Sequence, residues 1–106
     1  MDVKITPRRL SGVVTPPPSK SLAHRWILAA ALAAGTSVVK NVAFSEDIEA
    51  TLRCMEALGA SWETREDRLQ IAGIGGERRP FGDLPQFDCG ESGSTLRFLL
   101  PIALAV

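Results

Sequence analysis

The chain has 106 residues, of which 45% are apolar and 23% are charged, and its twelve basic and twelve acidic side chains cancel. A domain holds roughly 100–200 residues, so the length allows one domain or part of one, and the composition excludes a disordered or collagen-like polymer. The apolar stretch Phe98–Val106 has nine residues, whereas a transmembrane helix needs about 20.

The charges are unevenly distributed along the chain. Residues 1–40 contain six basic side chains against Asp2 alone, whereas residues 41–106 contain six basic and eleven acidic ones. The basic part is too sparse for a nucleic-acid surface, and aromatic residues make up only 6% of the chain. Basic side chains placed singly near helix starts instead favour a small anionic ligand.

The sequence contains few residues that could ligate a metal ion. It has two cysteines, Cys54 and Cys89, and one histidine, His24, while a zinc site needs about four nitrogen or sulfur ligands. We therefore expect no bound metal, and we expect both cysteines to be reduced thiols packed in the core. The first residues lack a long apolar stretch, so the expected location is the cytoplasm.

The first half of the chain predicts two short extended segments, a long helix and a strand. Residues 2–6 and 12–15 are partly β-branched stretches broken by proline and glycine, and three prolines then prevent a helix before Ser19. From Ser19 onward alanine and leucine predominate, which predicts a helix that ends at Gly35. Residues 36–42 predict a strand.

The second half predicts a further helix and a hairpin. Residues 45–59 begin with a capping serine and acidic side chains and then repeat apolar residues at helical spacing. Residues 61–64 and 68–72 flank a polar turn, as the strands of a hairpin do. Glycines and prolines make residues 73–86 a loop, and residues 87–89 are a candidate strand.

A third helix should begin near Ser92 or Ser94 and run into the apolar residues 98–106. The order of elements is then that of an α/β unit followed by the beginning of a second one. An exposed apolar end of a helix favours aggregation. We therefore expect either that the chain is the N-terminal part of a longer protein or that another chain covers this end.

The start of the first helix is the first candidate anion site. Unpaired N–H groups at a helix start attract phosphate, and Lys20, Ser21 and Arg25 add a mobile positive charge, a hydroxyl donor and a forked donor. Ser21 and Arg25 are four residues apart and share one face of the helix. The alternative is an ordinary solvated cap. The P-loop pattern is absent from the sequence. His24 is expected on the helix surface.

The segment 88–97 repeats this pattern. Gly90 and Gly93 permit close approach of the backbone to a ligand, and Ser94 and Arg97 are three residues apart on one helix face. Taken alone, the segment favours an ordinary glycine-rich connection. Two such helix starts, each followed by an arginine, can however converge on one polyanionic ligand.

Other polar and aromatic side chains have simpler interpretations. Glu46 and Asp47 suit the positive end of the second helix. Trp26 and Trp62 are expected in the core rather than as stacking platforms. The two arginines at 78–79 lie in the predicted loop and are expected to be solvated.

Three stretches together resemble the beginning of the 5-enolpyruvylshikimate-3-phosphate synthase family. They are P-P-S-K-S-L-A-H-R-W-I-L-A-A-A-L-A-A-G-T-S, S-E-D-I-E-A-T-L-R-C-M-E-A-L-G-A and C-G-E-S-G-S-T-L-R-F-L-L-P. Their most specific features are Ser-Lys-Ser with an arginine four residues later, and a glycine-bracketed turn that leads into T-L-R-F. The resemblance extends over nearly the whole chain.

This resemblance implies a fold and a missing remainder. Members of the family are much longer and fold into two similar domains built from repeated βαβαββ units, an inside-out α/β barrel with the active site in the cleft. Residues 1–106 then form an N-terminal fragment that contains one unit and the beginning of a second. Residues 1–15 are implied to belong with the other domain.

The resemblance also implies a reaction. The family transfers the enolpyruvyl group of phosphoenolpyruvate to the 5-hydroxyl of shikimate 3-phosphate, releases phosphate, and uses no cofactor. The implied partners are these two small molecules, neither nucleic acid nor membrane, and the remainder of the enzyme or a self-association partner that covers the apolar C-terminus. Other catalytic residues of the family lie beyond residue 106, so the chain by itself is expected to be inactive.

Family roles carry over to the first helix start. Lys20 resembles the lysine that contacts phosphoenolpyruvate, takes part in proton transfer and binds shikimate 3-phosphate. Ser21 and Arg25 resemble residues that bind shikimate 3-phosphate. Many members have glycine where Pro18 stands and asparagine where His24 stands.

Family roles carry over to the second helix start as well. Gly93 matches the glycine packed beside phosphoenolpyruvate, where bulk also governs access of the inhibitor glyphosate. Glu91 occupies a position that contacts phosphoenolpyruvate, although many members carry asparagine there and an ionised glutamate would repel phosphate. Ser94, where members carry threonine, and Arg97 take supporting positions.

Two other functions remain as alternatives. The sister family that acts on UDP-N-acetylglucosamine usually carries Lys-Asn, where this chain has Lys20 and Ser21. The other alternative is a unit without catalysis, which either binds anions generally or folds only with a partner chain.

Overall fold

Within residues 1–76 and 84–106, the part that a computed structural model describes, three helices and three short strands follow one another. In chain order they are α1 (Lys20–Leu32), β1 (Thr36–Lys40), α2 (Glu46–Ala57), β2 (Ser61–Arg65), β3 (Arg68–Ala72) and α3 (Gly93–Ala105). This order confirms the predicted α/β class.

The first helix, α1, begins where the run of prolines ends. The Ser19 hydroxyl accepts a hydrogen bond from the N–H of Leu22 (3.3 Å) and so caps the helix. At the other end, the carbonyl oxygen of Ala31 accepts the N–H of Ile74 (2.8 Å). The segment after β3 thus supplies the hydrogen bond that this carbonyl group lacks within the helix. The helix ends before Gly35, as predicted.

The second helix, α2, follows the predicted pattern of cap, acids and apolar stripe. Ser45 Oγ accepts the N–H of Ile48 (3.4 Å), and the first turn contains three acidic residues. Ile48, Leu52 and Met55 are each at most 1% exposed. Gly59 follows the helix with a φ of 107°, a left-handed conformation that favours glycine and allows the chain to turn into β2.

The strands form an antiparallel sheet in the order β1-β3-β2. The predicted hairpin consists of β2 and β3, with Trp62 opposite Ile71 and Thr64 opposite Leu69. Leu69 and Ile71 are each 1% exposed, while their neighbours along β3 are more accessible. Together with Val39 of β1, they belong to the core that α1 and α2 complete, so the helices cover one face of the sheet.

Three of the segments predicted as strands or extended stretches form no strand. Residues 2–6 and 12–15 belong to an exposed segment without regular structure, and residues 87–89 lie outside any strand. A strand is stable only where a neighbour satisfies its backbone groups, and among the described residues the sheet pairs with none of these segments. The prediction that residues 1–15 belong with another domain stays a prediction.

Several side chains differ from expectation because of the face of the helix they occupy. His24 is wrongly predicted on the surface, since it is only 2% exposed and lies on the same face as Ile27 and Leu28. Trp26 is two residues further along, on the outer face, and is 61% exposed, so the prediction of a core tryptophan is wrong there. Trp62 is 36% exposed at the edge strand β2.

The third helix, α3, leaves apolar side chains uncovered. It begins after Ser92, one of the two predicted caps, and continues through Pro101. Leu99 packs into the core, but three other leucines of the helix are 49–83% exposed: Leu96, Leu100 and Leu104. No helix of the described residues combines the length and apolarity needed to cross a membrane.

Gly73 should be intolerant of any side chain. A Cβ at this position would overlap the carbonyl oxygen of Ala33, the C-cap residue of α1, and lie 2.5 Å from that of Ala30 in the last turn of the helix. Gly73→Ala is therefore expected to lower the free energy of unfolding by about 1–3 kcal/mol, as overpacking does. Urea unfolding followed by circular dichroism measures this change.

Gly93→Ala is the matched control, because a Cβ there meets nothing within 4 Å. Its unfolding midpoint should stay close to that of the unaltered chain. Equal midpoints for the Gly73 and Gly93 variants would contradict the close packing of residue 73 against α1.

Candidate functional site

An ion pair joins the starts of α1 and α2. Lys20 Nζ lies 2.8 Å from Asp47 Oδ2, with the two side chains 56% and 38% exposed. The hydrogen bond from Lys20 lowers the pKa of Asp47 below its ordinary value. Since an exposed pair of this kind contributes little to stability, an anionic ligand can displace Asp47 from Lys20 at small cost.

A chain of buried polar side chains joins all three helices. His24 Nδ1 on α1 lies 2.7 Å from Thr51 Oγ1 on α2, and Thr51 Oγ1 lies 2.8 Å from Thr95 Oγ1 on α3. Thr95 Oγ1 also lies 2.6 Å from Ser92 Oγ and 3.4 Å from the carbonyl oxygen of Asp47. We call His24, Thr51, Ser92 and Thr95 the polar chain; each is at most 5% exposed.

One assignment of protons satisfies every contact of the polar chain. The carbonyl oxygen of Asp47 can only accept, so Thr95 donates to it and must accept from both Thr51 and Ser92. Thr51 has then used its single proton and accepts from His24, whose Nδ1 carries the hydrogen. The Nε2 atom of His24 is left as a bare acceptor, and it is buried without a partner among the described residues.

Burial favours the neutral form of the His24 ring. Desolvation lowers the pKa of His24 below its ordinary value of 6.5, and this effect outweighs the opposing attraction of Asp47. The positive charges of Lys20 and Arg25 lower the pKa further. A neutral ring with hydrogen on Nδ1 is the form that the polar chain requires.

Arg25 connects α1 with α3 on the solvent side. Its guanidinium donates to the carbonyl oxygen of Ser21 (2.9 Å), one turn earlier, and its Cζ lies 5.0 Å from the centroid of the Phe98 ring. Ser21 and Arg25 thus share a helix face, as predicted. The contact with Ser21 occupies one of the five N–H donors of the guanidinium.

Local hydrogen bonds shape the turn before α3. The N–H of Gly90 donates to Asp88 Oδ1 (3.0 Å), and the N–H of Ser92 donates to the carbonyl oxygen of Cys89 (3.0 Å). Ser92 Oγ accepts the N–H of Thr95 (3.2 Å) and caps the helix. Because Ser92 and Thr95 also belong to the polar chain, the turn and the helix start are held relative to α1 and α2.

The residues implied by the resemblance lie at or within two turns of the starts of α1 and α3. All of them are exposed: Lys20, Ser21, Arg25, Glu91, Gly93, Ser94 and Arg97. The structure brings the two helices together through the polar chain and through Arg25 and Phe98. Their assigned roles stay predictions.

Lys20 and Glu91 border different hollows. Lys20 and Ser45 line one, and Asp47 and Glu91 line the other. The second hollow has four acidic residues and one basic residue in its lining, namely Glu46, Asp47, Glu49, Glu91 and Arg53. An anion is therefore favoured beside Lys20 and disfavoured in the hollow beside Glu91.

Two further observations concern the remaining polar side chains. Among the described residues, no three His, Cys, Asp or Glu side chains cluster closely enough to hold a metal ion. The two arginines at 78–79 lie outside the described residues, so their solvation stays a prediction.

Sequence reasoning missed the polar chain, although two signals point to it. Thr51 lies between Ile48 and Leu52 on the apolar face of α2, where a buried hydroxyl needs a partner. His24 lies three residues before Ile27 on the inner face of α1. A polar residue within an apolar stripe on each of two helices indicates a buried contact between them.

Known proteins share both the sequence and the fold of this chain. The family model for EPSP synthase (3-phosphoshikimate 1-carboxyvinyltransferase) matches residues 5–106. The chain therefore belongs to the EPSP synthase family, the family it was expected to resemble.

Individual relatives agree with this assignment. The 3-phosphoshikimate 1-carboxyvinyltransferase of Clostridioides difficile (strain 630) is 48% identical over 110 residues, which cover 97% of this chain and 25% of that protein. Its counterpart in Clostridium perfringens (strain 13 / Type A) is 50% identical over 102 residues, covering 96% and 24%. The structure of EPSP synthase from Acinetobacter baumannii superposes with a TM-score of 0.72 at 33% identity, covering 86% of this chain and 21% of that one. The chain thus spans about a quarter of the length of these curated relatives.

Removing the central hydroxyl of the polar chain should destabilise the fold. Thr95→Val keeps the shape of the side chain but leaves the hydroxyls of Thr51 and Ser92 without their partner. The free energy of unfolding should fall by about 1–3 kcal/mol, the cost of unsatisfied buried polar groups. Urea unfolding measures the loss.

Two matched variants make this measurement specific. Thr95→Ser keeps the hydroxyl and should retain most of the stability, while Ser94→Ala, at an exposed neighbouring position, should change little. A Thr95→Val variant as stable as Ser94→Ala would show that the polar chain does not hold the helices together.

Stability should also depend on pH through His24. Because the folded state lowers the pKa of His24 below 6.5, the unfolded chain binds the proton first as the pH falls. The free energy of unfolding should therefore be highest above pH 6.5 and decrease below it. Urea unfolding at a series of pH values reveals this slope.

His24→Asn keeps an amide donor for Thr51 but cannot titrate, so it should remove the slope just below pH 6.5. Asp47, whose pKa is also lowered, loses its contribution only around and below its ordinary value of 3.8, a separate range. A His24→Asn variant with the original slope below pH 6.5 would assign the dependence to another group.

Proposed function

We propose that this chain forms part of the substrate-binding surface of an enzyme that transfers the enolpyruvyl group of phosphoenolpyruvate to the 5-hydroxyl of shikimate 3-phosphate, with release of phosphate. The observation that carries the proposal is membership of the EPSP synthase family together with two helix starts joined by the polar chain. The complete reaction requires residues beyond those of this chain, because its relatives are about four times as long.

The electrostatics of α1 support binding of phosphorylated substrates. The helix start supplies N–H groups and a partial positive charge, and Lys20 and Arg25 project cationic groups into solvent from the same helix. We assign Ser21 and Arg25 to shikimate 3-phosphate, with the hydroxyl and the guanidinium as donors. The phosphate dianion competes with Asp47 for Lys20, since it carries more charge than a single carboxylate.

We assign Lys20 to phosphoenolpyruvate and to proton transfer. In the reaction, C3 of phosphoenolpyruvate gains a proton while the 5-hydroxyl of the acceptor loses its proton and attacks C2. Phosphate then leaves from the tetrahedral intermediate as C3 gives up a proton, which restores the double bond. An ammonium group in contact with phosphoenolpyruvate can stabilise the negative charge of the departing phosphate and exchange a proton. Asp47 holds the ammonium in position before the substrates arrive.

The turn before α3 has a different role in the proposal. Gly93 is exposed at the first position of α3, where the absence of a side chain leaves room for phosphoenolpyruvate beside the backbone. Glu91 belongs to the acid-lined hollow, so we assign it no part in neutralising phosphate. Ser94 and Arg97 lie on the exposed side of the start of α3, and we assign them supporting positions.

The names of the relatives favour shikimate 3-phosphate over a nucleotide sugar as the acceptor. They also favour a catalytic unit over a general anion-binding module. A cytoplasmic location stays a prediction.

A chimaera tests the function. In it, this chain replaces the matching N-terminal quarter of the Clostridioides difficile relative, and phosphate release is measured with both substrates. The chimaera should be active, and Lys20→Ala should lower its kcat/KM by about 10²–10⁴-fold, the usual range for an acid–base or charge-stabilising group. Lys20→Arg keeps the charge and should recover part of the loss in KM.

Lys40→Ala removes an exposed lysine from β1 and is the control, with activity expected to be unchanged. Circular dichroism and a cooperative thermal transition establish that each chimaera is folded. A folded chimaera without activity, or Lys20→Ala and Lys40→Ala variants of equal activity, would refute the proposal.

A further inference from the structure

Two thiols meet where α2 packs against the turn before α3. Cys54 Sγ and Cys89 Sγ lie 3.8 Å apart, and both cysteines are free. Cys54 is completely buried in α2, whereas Cys89 is half-buried and lies outside any helix or strand. The Cys54 thiol also donates to the carbonyl oxygen of Asp88 (3.6 Å), the residue before Cys89, which keeps the two sulfur atoms facing each other.

We propose that Cys54 and Cys89 form a reversible disulfide under oxidising conditions, and that this bond fastens the turn before α3 to α2. The distance between the sulfur atoms must shorten from 3.8 Å to about 2.05 Å. Cys89 belongs to an irregular segment, so backbone rotations there can supply most of the movement without disrupting α2.

The reaction uses a low-molecular-weight disulfide as oxidant. The Cys89 thiolate attacks one sulfur of the reagent, so that a mixed disulfide forms and the reagent's second sulfur leaves as a thiolate. This thiolate takes the proton of Cys54, whose sulfur then attacks Cys89 Sγ and displaces the other half of the reagent as a thiolate, which takes up the proton that Cys89 had released. Two protein thiols and one reagent disulfide thus give one protein disulfide and two reagent thiols.

The two cysteines have unequal roles. Cys89 lines the acid-lined hollow and is open to a small reagent, while Cys54 is sealed in the core. Burial, together with the neighbouring Cys89 thiol, raises the pKa of Cys54 to about 12, which makes it a poor first nucleophile. Cys89 therefore reacts first, and Cys54 resolves the mixed disulfide slowly.

The consequence concerns the turn that follows Cys89. The carbonyl oxygen of Cys89 accepts the N–H of Ser92, and Ser92 caps α3. A covalent bond between Cys89 and Cys54 restrains this turn in addition to the hydrogen bonds of the polar chain. The restraint of the turn by this bond is a property of the chain itself and does not rest on the proposed enzymatic function.

The test uses the purified, reduced chain and cystamine, a small cationic disulfide that suits the acidic hollow. Intact mass should show a transient cysteamine adduct and then the loss of two hydrogens, and peptide mapping should find the Cys54 and Cys89 peptides linked. Dithiothreitol should reverse the change. Hydrogen exchange at residues 90–92 should slow in the oxidised chain.

Two variants separate the roles of the thiols. Cys54→Ser should stop at a stable cysteamine adduct on Cys89, and Cys89→Ser should remain unmodified while folded. Glutathione disulfide, which is anionic, should react more slowly than cystamine with the unaltered chain because the hollow is acidic.

Several results would overturn the proposal. They are a stable adduct on Cys89 of the unaltered chain without an internal cross-link, a dimer linked between two Cys89 residues, or unchanged hydrogen exchange in the cross-linked chain. The masses do not depend on substrate binding, so failure of this proposal is distinguishable from failure of the proposed function.

Discussion

The buried polar chain is the constraint on which the arrangement of helices depends. Each helix contributes to it, with His24 from α1, Thr51 from α2, and Ser92 and Thr95 from the start of α3. A hydroxyl group that loses its partner in the core is costly, so no helix can slide or rotate without breaking a bond. Apolar packing alone tolerates small shifts, whereas hydrogen bonds of this geometry specify one relative position of the helices.

Because the polar chain lies inside the structure, the outer surface of the helices can carry charged side chains. Lys20 and Arg25 extend from α1 on the solvent side, while the buried His24 on the same helix faces α2. Asp47 contacts both the exposed charges and the buried polar chain, because its carboxylate pairs with Lys20 and its carbonyl oxygen accepts from Thr95. Asp47 therefore contacts both Lys20 of α1 and Thr95 of α3.

The region around the start of α2 separates charges of opposite sign. Acidic side chains in the first turn stabilise the helix dipole, and they also make the hollow next to the turn before α3 acidic. Lys20, on the other side of Asp47, borders a separate hollow. Under the proposed function, this arrangement favours a phosphorylated ligand at α1, and the thiol of Cys89 lies in surroundings that favour neutral or cationic reagents.

Features that depend on residues close together in the chain are predictable from the sequence. Caps such as Ser19 and Ser45, the stop at Gly59 and the hairpin of β2 and β3 arise from contacts within a few residues, and the composition there predicts them. The roles of the side chains at the helix starts rest on family resemblance for the same segments and stay predictions. Long-range pairings depend on the tertiary structure. A polar residue within an apolar stripe, such as Thr51 or His24, indicates a buried contact, but its spacing does not identify a partner 27, 35 or 44 residues away, as in the His24–Thr51, Cys54–Cys89 and Thr51–Thr95 contacts. Some predicted strands do not form for the same physical reason, since a strand forms only where a distant segment satisfies its backbone hydrogen bonds.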